Sequence, residues 1–160
     1  MVRSFRKFIL VALALFCLTS KARAAEIHLT GRDVSLLART LQGEAGGESK
    51  EGQIAVAHVI LNRIKHSHGR EDSSVERAVL RKGQFDVWHD KRLLSSLVRE
   101  REQYAQMKIV AEIAVSLYRQ GHDYAHGATY YCRKDKHPSW TRHMRLVAKI
   151  GGHKLYEPIK

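Results

Sequence analysis

The spacing of apolar residues predicts that the chain is mostly helical. A first helix from Thr30 to about Gly43 is indicated by an apolar stripe at helical spacing, formed by Val34, Leu37, Ala38 and Leu41. Thr30 and Asp33 favour a cap at its start, because a hydroxyl covers a free amide and an acid suits the first turn. The Gly46–Gly47 pair ends this helix.

Two further helices follow. The segment from Ser49 to about Lys65 is apolar on nearly every side, which is typical of a helix buried in a core. The sequence S-x-x-E from Ser73 to Glu76 predicts a capping box that opens a short helix to about Lys82. From Gly83 to Trp88 we expect a loop or a short extended segment.

The second half of the chain changes character at His122. Before it, a stripe that includes Tyr104 and Leu117 predicts one long helix from Leu93 to Gln120. After it, residues 146–150 and 153–156 flank a Gly-Gly pair and predict a short hairpin. The predicted fold class is therefore mainly α (α+β), with a small C-terminal β-hairpin.

The first 24 residues have the pattern of a signal peptide. A basic start precedes an uncharged run of 11 residues, Phe8–Leu18, which is too short to span a bilayer comfortably. Ala22 and Ala24 give the small-x-small pattern of a cleavage site. We expect cleavage after Ala24, one mature domain over residues 25–160, and an exported protein, periplasmic or extracellular. An uncleaved membrane anchor is the alternative.

Composition and charge narrow the function classes. The apolar fraction of 44% excludes a disordered chain, and two cysteines exclude a disulfide framework. The net charge is +12, from 28 basic and 16 acidic residues. Removing the five cations of residues 1–24 leaves 23 basic residues and a charge of +7. This surplus favours a polyanionic partner, and for an exported protein cell-wall polymers, anionic lipid head groups and extracellular nucleic acid all qualify. No nucleic-acid-binding motif is visible.

Glu44 is the first candidate for chemistry. It lies three residues after Leu41, so it continues the buried face of the first helix, and glycines flank it. Burial raises the pKa of a carboxyl group because the charged form loses its hydration. A carboxyl group that is protonated near neutral pH suits the cleavage of a glycosidic bond. The alternative is a solvated residue at a helix end.

Three blocks of sequence resemble one family. The first covers residues 37–48 and 51–63, the second Gly83-Gln84-Phe85 with Asp90, and the third residues 127–131, 138–140 and 150–156. In this order they resemble the cell wall hydrolase family typified by spore cortex-lytic enzymes of the SleB type. The resemblance covers about residues 34–156.

The resemblance implies a lysozyme-like domain that cleaves the glycan strands of peptidoglycan, with Glu44 as the catalytic acid. Many members are lytic transglycosylases, which cut the MurNAc–GlcNAc bond, leave a 1,6-anhydro end and need one carboxyl group. A hydrolytic muramidase would need a second carboxylate, and Glu48, Asp86 and Asp90 are available. No cofactor is expected, and a partner protein for targeting is an option.

Several side chains are candidates for binding the substrate. The rings of Tyr130, Tyr131 and Trp140 are suited to stacking on sugar faces, with core packing as the alternative. Gln84 and Asn62 are candidates for hydrogen bonds to substrate amides, with a buried structural amide as the alternative.

Other activities rest on weaker patterns. Cys132 with His126 or His137 would suit a thiol peptidase or amidase acting on the stem peptides. The histidine spacings do not match a zinc motif, so no metal is expected. A basic wall-binding protein without enzymatic activity is a further alternative.

Overall fold

The computed structural model describes residues 29–67 and 72–159. The predicted signal peptide, residues 1–24, lies outside the described residues and stays a prediction. In the described part of the chain, no helix has the length and apolarity needed to cross a bilayer. The helices are α1 (Gly31–Ala45), α2 (Lys50–His66), α3 (Val75–Leu80), α4 (Lys91–Arg99) and α5 (Arg101–Arg119). The strands are β1 (Tyr130–Arg133), β2 (Met144–Ile150) and β3 (His153–Pro158).

Helices α1 and α2 form where the sequence predicts them. Thr30 caps α1 in a reciprocal box with Asp33, whose carboxylate accepts a hydrogen bond from the Thr30 amide at 2.8 Å. Ser49 caps α2 by accepting from the amide of Gly52 at 3.3 Å. Every residue of α2 from Gly52 to Asn62 is buried, and both helices pack against α5. The helical core therefore surrounds α2.

The predicted capping box of α3 is wrong by one residue. The cap is Ser74, which accepts from the amide of Arg77 at 3.2 Å. With this start, Val75, Ala78 and Val79 all face the core and are buried. Burial of these three apolar side chains thus sets the register of α3. A short 3-10 helix, Asp86–Trp88, then lies where a loop was predicted.

The predicted long helix is two helices, α4 and α5, which meet at Glu100. The backbone of Glu100 has a ψ of 70°, which no helix accommodates. The carbonyl of Leu97 instead accepts from Gln42 Nε2 at 3.1 Å and from Arg39 Nη1 at 2.9 Å. Gln42 also donates to the carbonyl of Glu100 at 3.1 Å. Side chains of α1 therefore donate hydrogen bonds to the backbone carbonyls where α4 ends. The apolar stripe that predicted one long helix continues across this break and gives no sign of it.

The predicted C-terminal hairpin is confirmed, and a third strand joins it. β3 pairs with β2 on one side and with β1 on the other, both antiparallel. The turn between β2 and β3 is Gly151-Gly152, and Gly151 has a φ of +55°, which favours glycine. The carboxylate of Glu48 accepts a hydrogen bond from the Gly152 amide at 2.7 Å. The fold is mainly helical with a small antiparallel sheet, as predicted.

Candidate active site

Glu44 lies in the last turn of α1 and is half-buried. Its neighbour Ala45 is buried, and so is Leu41 one turn earlier. The hydroxyl of Tyr131, on β1, donates a hydrogen bond to Glu44 Oε2 at 3.0 Å. The end of α1 and the first strand of the sheet thus meet at this carboxyl group.

The pKa of Glu44 is raised above its ordinary value. Burial is the main cause, because the carboxylate loses hydration, and the negative charge of Asp86 adds to it. The hydrogen bond from Tyr131 and the backbone of Asp86 and Val87 act in the opposite direction without cancelling the rise. Glu44 therefore retains its proton to a higher pH than an exposed glutamate, as the sequence led us to expect.

Gly43 lets the 3-10 helix Asp86–Trp88 approach the acid. A Cβ at position 43 would lie 2.6 Å from Cβ of Val87, closer than real Cβ contacts allow. The missing side chain therefore brings the segment that carries Asp86 against the end of α1. This close approach explains why Asp86, 42 positions further along the chain, acts on the pKa of Glu44.

Tyr131 has a role that differs from the predicted stacking on sugar. Its ring packs edge-on against His153 with the centroids 5.0 Å apart, and its hydroxyl faces Glu44. Burial raises the pKa of Tyr131 well above its ordinary value, and the charge of Glu44 adds to the rise. The phenol therefore stays protonated at neutral pH and serves as a fixed hydrogen-bond donor to the acid.

Arg63 connects Gln84 to β1. Its Nη1 donates to Gln84 Oε1 at 2.8 Å, and its Nε donates to the carbonyl of Thr129 at 2.6 Å. Its guanidinium lies over the ring of Tyr130, 5.5 Å from the centroid. Arg63 thus contacts both Gln84 and Tyr130. Sequence reasoning missed this arginine. The one available signal was a cation within the nearly all-apolar α2.

Tyr130 and Trp140 belong to a cluster of three rings. Their centroids are 5.7 Å apart at a tilted angle, and Trp140 meets the buried Tyr156 edge-on at 5.4 Å. Tyr130 and Trp140 are both half-buried. Each therefore combines the predicted core packing with exposed ring surface that a sugar can contact.

Asn62 belongs to a structural network that does not include Glu44. It is 2% exposed, and its amide donates to Asp123 at 3.0 Å and to the carbonyl of Ala128 at 3.1 Å. Its Oδ1 accepts from the Tyr118 hydroxyl at 2.6 Å. Because these bonds occupy both ends of the amide, the geometry favours the structural alternative for Asn62.

The three candidates for a second carboxylate have different environments. Glu48 accepts from Gly152, and Asp90 caps α4 by accepting from the amides of Arg92 and Leu93 at 2.8 and 3.1 Å. Asp86 is exposed and acts electrostatically on Glu44. Of the three, Asp86 alone combines nearness to the acid with a carboxylate that makes no cap or turn contact in residues 29–67 and 72–159.

Cys132 is buried on β1, and its thiol donates to the carbonyl of Lys136 at 3.8 Å. His137 Nδ1 lies 3.4 Å from Nζ of Lys154 instead. Among the described residues, no hydrogen bond joins the thiol to either of the histidines considered for a thiol peptidase. Over the same residues, no group of three or more potential ligands could hold a metal ion.

Comparison of the chain with known proteins gives one family. Residues 47–156 match the family described as Cell Wall Hydrolase. A spore cortex-lytic enzyme from Halalkalibacterium halodurans is 31% identical over 134 residues, which is 83% of this chain and 37% of that protein. The chain thus spans little more than a third of this relative. A spore cortex-lytic enzyme from Bacillus subtilis is 54% identical over 35 residues, 22% of this chain and 12% of that enzyme.

Two solved structures have the same fold. One is the catalytic domain of the germination-specific lytic transglycosylase SleB from Bacillus anthracis, with a TM-score of 0.61 and 26% identity. The match covers 98% of that domain and 82% of this chain. The other is the catalytic domain of the Bacillus cereus SleB protein, with a TM-score of 0.63 and 24% identity. This match covers 99% of that domain and 86% of this chain. The family match begins three residues after Glu44, so the role of Glu44 rests on its geometry.

Proposed function

Because the chain belongs to the cell wall hydrolase family, we propose that it is a lytic transglycosylase that cleaves the glycan strands of peptidoglycan. The observation that carries the proposal is the environment of Glu44: half-buried, with a raised pKa and one carboxylate oxygen held by Tyr131. The similarity to a domain named as a lytic transglycosylase supports it.

Glu44 acts twice in the proposed reaction. As an acid it donates its proton to the oxygen that bridges MurNAc and GlcNAc, and the glycosidic bond breaks. As a carboxylate it then takes the proton from the C6 hydroxyl of the same MurNAc, whose oxygen closes on C1 to give the 1,6-anhydro ring. The nucleophile is intramolecular, so no water needs to be positioned.

Tyr131 orients this carboxyl group throughout. Its hydroxyl donates to Oε2, and in the proposed reaction the other oxygen, Oε1, exchanges the proton with the bridging oxygen. Burial favours the acid and the hydrogen bond favours the carboxylate, and the net effect is a pKa of Glu44 above its ordinary value. A group with such a pKa can both release and recover a proton.

A second candidate is a hydrolytic muramidase, and the position of Asp86 favours it. A second carboxylate across the bond would act as a base or a nucleophile. Asp86 is the acidic residue whose charge acts on Glu44. The transglycosylase remains the better supported of the two because one half-buried acid suffices for it.

Product analysis separates the candidates. Purified peptidoglycan is digested with the full chain, and the soluble fragments are identified by mass spectrometry. We expect 1,6-anhydro-muramic ends. Reducing muramic ends would instead support the muramidase, free stem peptides an amidase or peptidase, and binding without soluble product the non-enzymatic alternative.

The place of action follows from the substrate. Peptidoglycan lies outside the cytoplasm, so we propose that the protein acts after export. The pattern of residues 1–24 supports this proposal. Its test is to locate the full chain and a chain that begins at Ala25 in cell fractions: we expect the first to be exported and the second to be retained.

A further inference from the structure

His153 is a buried titratable residue that the reaction above does not use. It is the first residue of β3 and is 4% exposed. Its Nδ1 is shielded from solvent, and no hydrogen bond reaches this atom from residues 29–67 and 72–159. Packing, rather than a hydrogen bond at Nδ1 from this part of the chain, therefore sets the place of the ring. The contribution of the imidazole is then to be sought in the rings and chains that it touches.

The pairing of the strands places His153 on the face of the sheet that carries Tyr131. In the antiparallel register of β1 with β3, Tyr131 is opposite Leu155, and Arg133 is opposite His153. Residues two apart on a strand share a face, and diagonal neighbours across a pair are within reach of aromatic side chains. Tyr131 and Leu155 also pack against apolar residues of α2. His153 therefore lies on the side of the sheet that faces the helices.

The rings of His153 and Tyr131 are in direct contact. Their centroids are 5.0 Å apart and their planes meet at 81°, which is the edge-to-face geometry that aromatic pairs prefer. The same tyrosine is bound at its far end, where its hydroxyl donates to Glu44 Oε2 at 3.0 Å. The position of one tyrosine ring thus depends on the imidazole beside it and on the acid at its hydroxyl.

The backbone that carries His153 is fixed by two hydrogen bonds at the preceding residue. The amide of Gly152 donates to the carboxylate of Glu48 at 2.7 Å, and its carbonyl accepts from the amide of Lys134 at 2.7 Å. A Cβ on Gly152 would collide with the same carboxylate, so the turn lies directly against it. A buried ring on a fixed backbone gives the neighbouring phenol a fixed surface to pack on.

The imidazole of His153 is uncharged at neutral pH. Burial lowers its pKa, the negative charge of Glu48 acts in the opposite direction, and the positive charge of Arg133 lowers the pKa further. A neutral ring adds no charge to the surroundings of Glu44. Any effect of this ring on the acid therefore passes through the position of Tyr131.

We propose that His153 is a positioning residue, whose ring holds the ring of Tyr131 so that the phenol stays directed at Glu44. The inference rests on the proposed function and deepens it. His153 offers a substrate almost no surface, since it is 4% exposed. Its loss should therefore lower kcat and leave KM unchanged.

The first test removes the ring and then restores one. Rates are measured on soluble glycan strands, at a temperature at which circular dichroism shows every variant to be folded. We expect His153→Ala to lower kcat about five- to tenfold, because the phenol loses its fixed position. His153→Phe, which keeps an aromatic ring, should recover most of the lost rate. Lys154→Ala is the matched control, since it truncates a similarly buried side chain at the next position of β3, on the opposite face.

The second test follows the pKa of the acid. A phenol that moves away from Glu44 no longer lowers the pKa of that carboxyl group, whereas the charge of Asp86 is unchanged. The alkaline limb of kcat/KM in His153→Ala should therefore lie at higher pH than in the wild type, and that of Lys154→Ala should not move. In a chain that already carries Tyr131→Phe, adding His153→Ala should change kcat less than about twofold, because the bond that it protects is gone.

The outcomes keep this proposal apart from the proposed function. Equal losses of rate in His153→Phe and His153→Ala, an unmoved limb in His153→Ala, or the same shift in Lys154→Ala would each overturn the positioning role while glycan cleavage stood. Independent effects of His153→Ala and Tyr131→Phe would also overturn it. If the wild type cleaved no glycan, the proposed function would fail. A ¹³C NMR titration of the glutamate carboxyl groups would then decide the role: His153→Ala should raise the pKa of Glu44, and an unchanged pKa would overturn the proposal.

Discussion

The phenol of Tyr131 and the carboxyl group of Glu44 are joined by a hydrogen bond of 3.0 Å, although 87 positions separate them in the sequence. The bond links the helical part of the molecule to the sheet at one reactive atom. It fixes the orientation of the carboxyl group and lowers a pKa that burial raises. Each of these effects can be measured.

Tyr131→Phe removes the hydrogen bond and keeps the ring. We expect kcat/KM to fall by about ten- to a hundredfold, since the carboxyl group loses its orientation. The lost bond lowered the pKa of Glu44, so that pKa should rise further. Activity that needs protonated Glu44 is lost as pH rises through the pKa of Glu44. In a plot of kcat/KM against pH, the alkaline limb of the variant should therefore lie at higher pH than that of the wild type. The control is Tyr104→Phe on α5; a profile of Tyr131→Phe with an unmoved limb would contradict this account.

Asp86→Asn tests the opposite shift. The charge of Asp86 raises the pKa of Glu44, so its removal should lower that pKa. The alkaline limb of kcat/KM should therefore move to lower pH, with substantial activity kept below it. Asp135→Asn changes a remote, exposed carboxylate and should leave the profile unchanged. Loss of activity at every pH in Asp86→Asn would instead support the muramidase.

Gly43→Ala tests the close approach of the 3-10 helix to α1. The added Cβ would collide with Val87, and such overpacking costs roughly 1–3 kcal/mol. We expect a lower free energy of unfolding by denaturant and a loss of activity, because Asp86 and Val87 must move away from Glu44. Gly47→Ala adds the same atom in open space and should change little. Equal stability of the two variants would show that the contact is unimportant.

Glu48→Ala tests a structural role for a residue that the sequence left as a possible second carboxylate. Its carboxylate holds the turn between β2 and β3 through the Gly152 amide. We expect a loss of about 1–3 kcal/mol in the free energy of unfolding, as for a hydrogen bond to a charged group, with unchanged product ends. The exposed Glu51→Ala on the same helix is the control. A stable but inactive Glu48→Ala would favour a catalytic role.

Local pattern is sufficient to predict much of this fold. The cap at Thr30, the buried helix after Ser49 and the two-glycine hairpin all depend on neighbours within a few residues, and the structure contains each of them. The acid candidate was found in the same way, because its position on a buried helix face and its flanking glycines are local features. Its catalytic role stays a prediction.

The features that sequence reasoning missed depend on distant partners. The break at Glu100 is stabilised by Gln42 from another helix, and the stripe of apolar residues gives no sign of it. Residues of strand β1 pair with residues of β3 that lie 20 to 26 positions later. The hydrogen bond from Tyr131 and the bond from Arg63 to Gln84 also need the assembled fold. The cation at position 63 within the nearly all-apolar α2 is the one local sign of any of these contacts.

The most direct measurement of the central claim compares the wild type with Glu44→Gln on purified peptidoglycan. The two side chains have nearly the same shape, so circular dichroism and unfolding should show that the variant folds. Anhydro-muramic ends released per enzyme are then counted by mass spectrometry. The account predicts that the wild type releases them and that Glu44→Gln releases none above the blank. Release by the folded variant at the wild-type rate would contradict it.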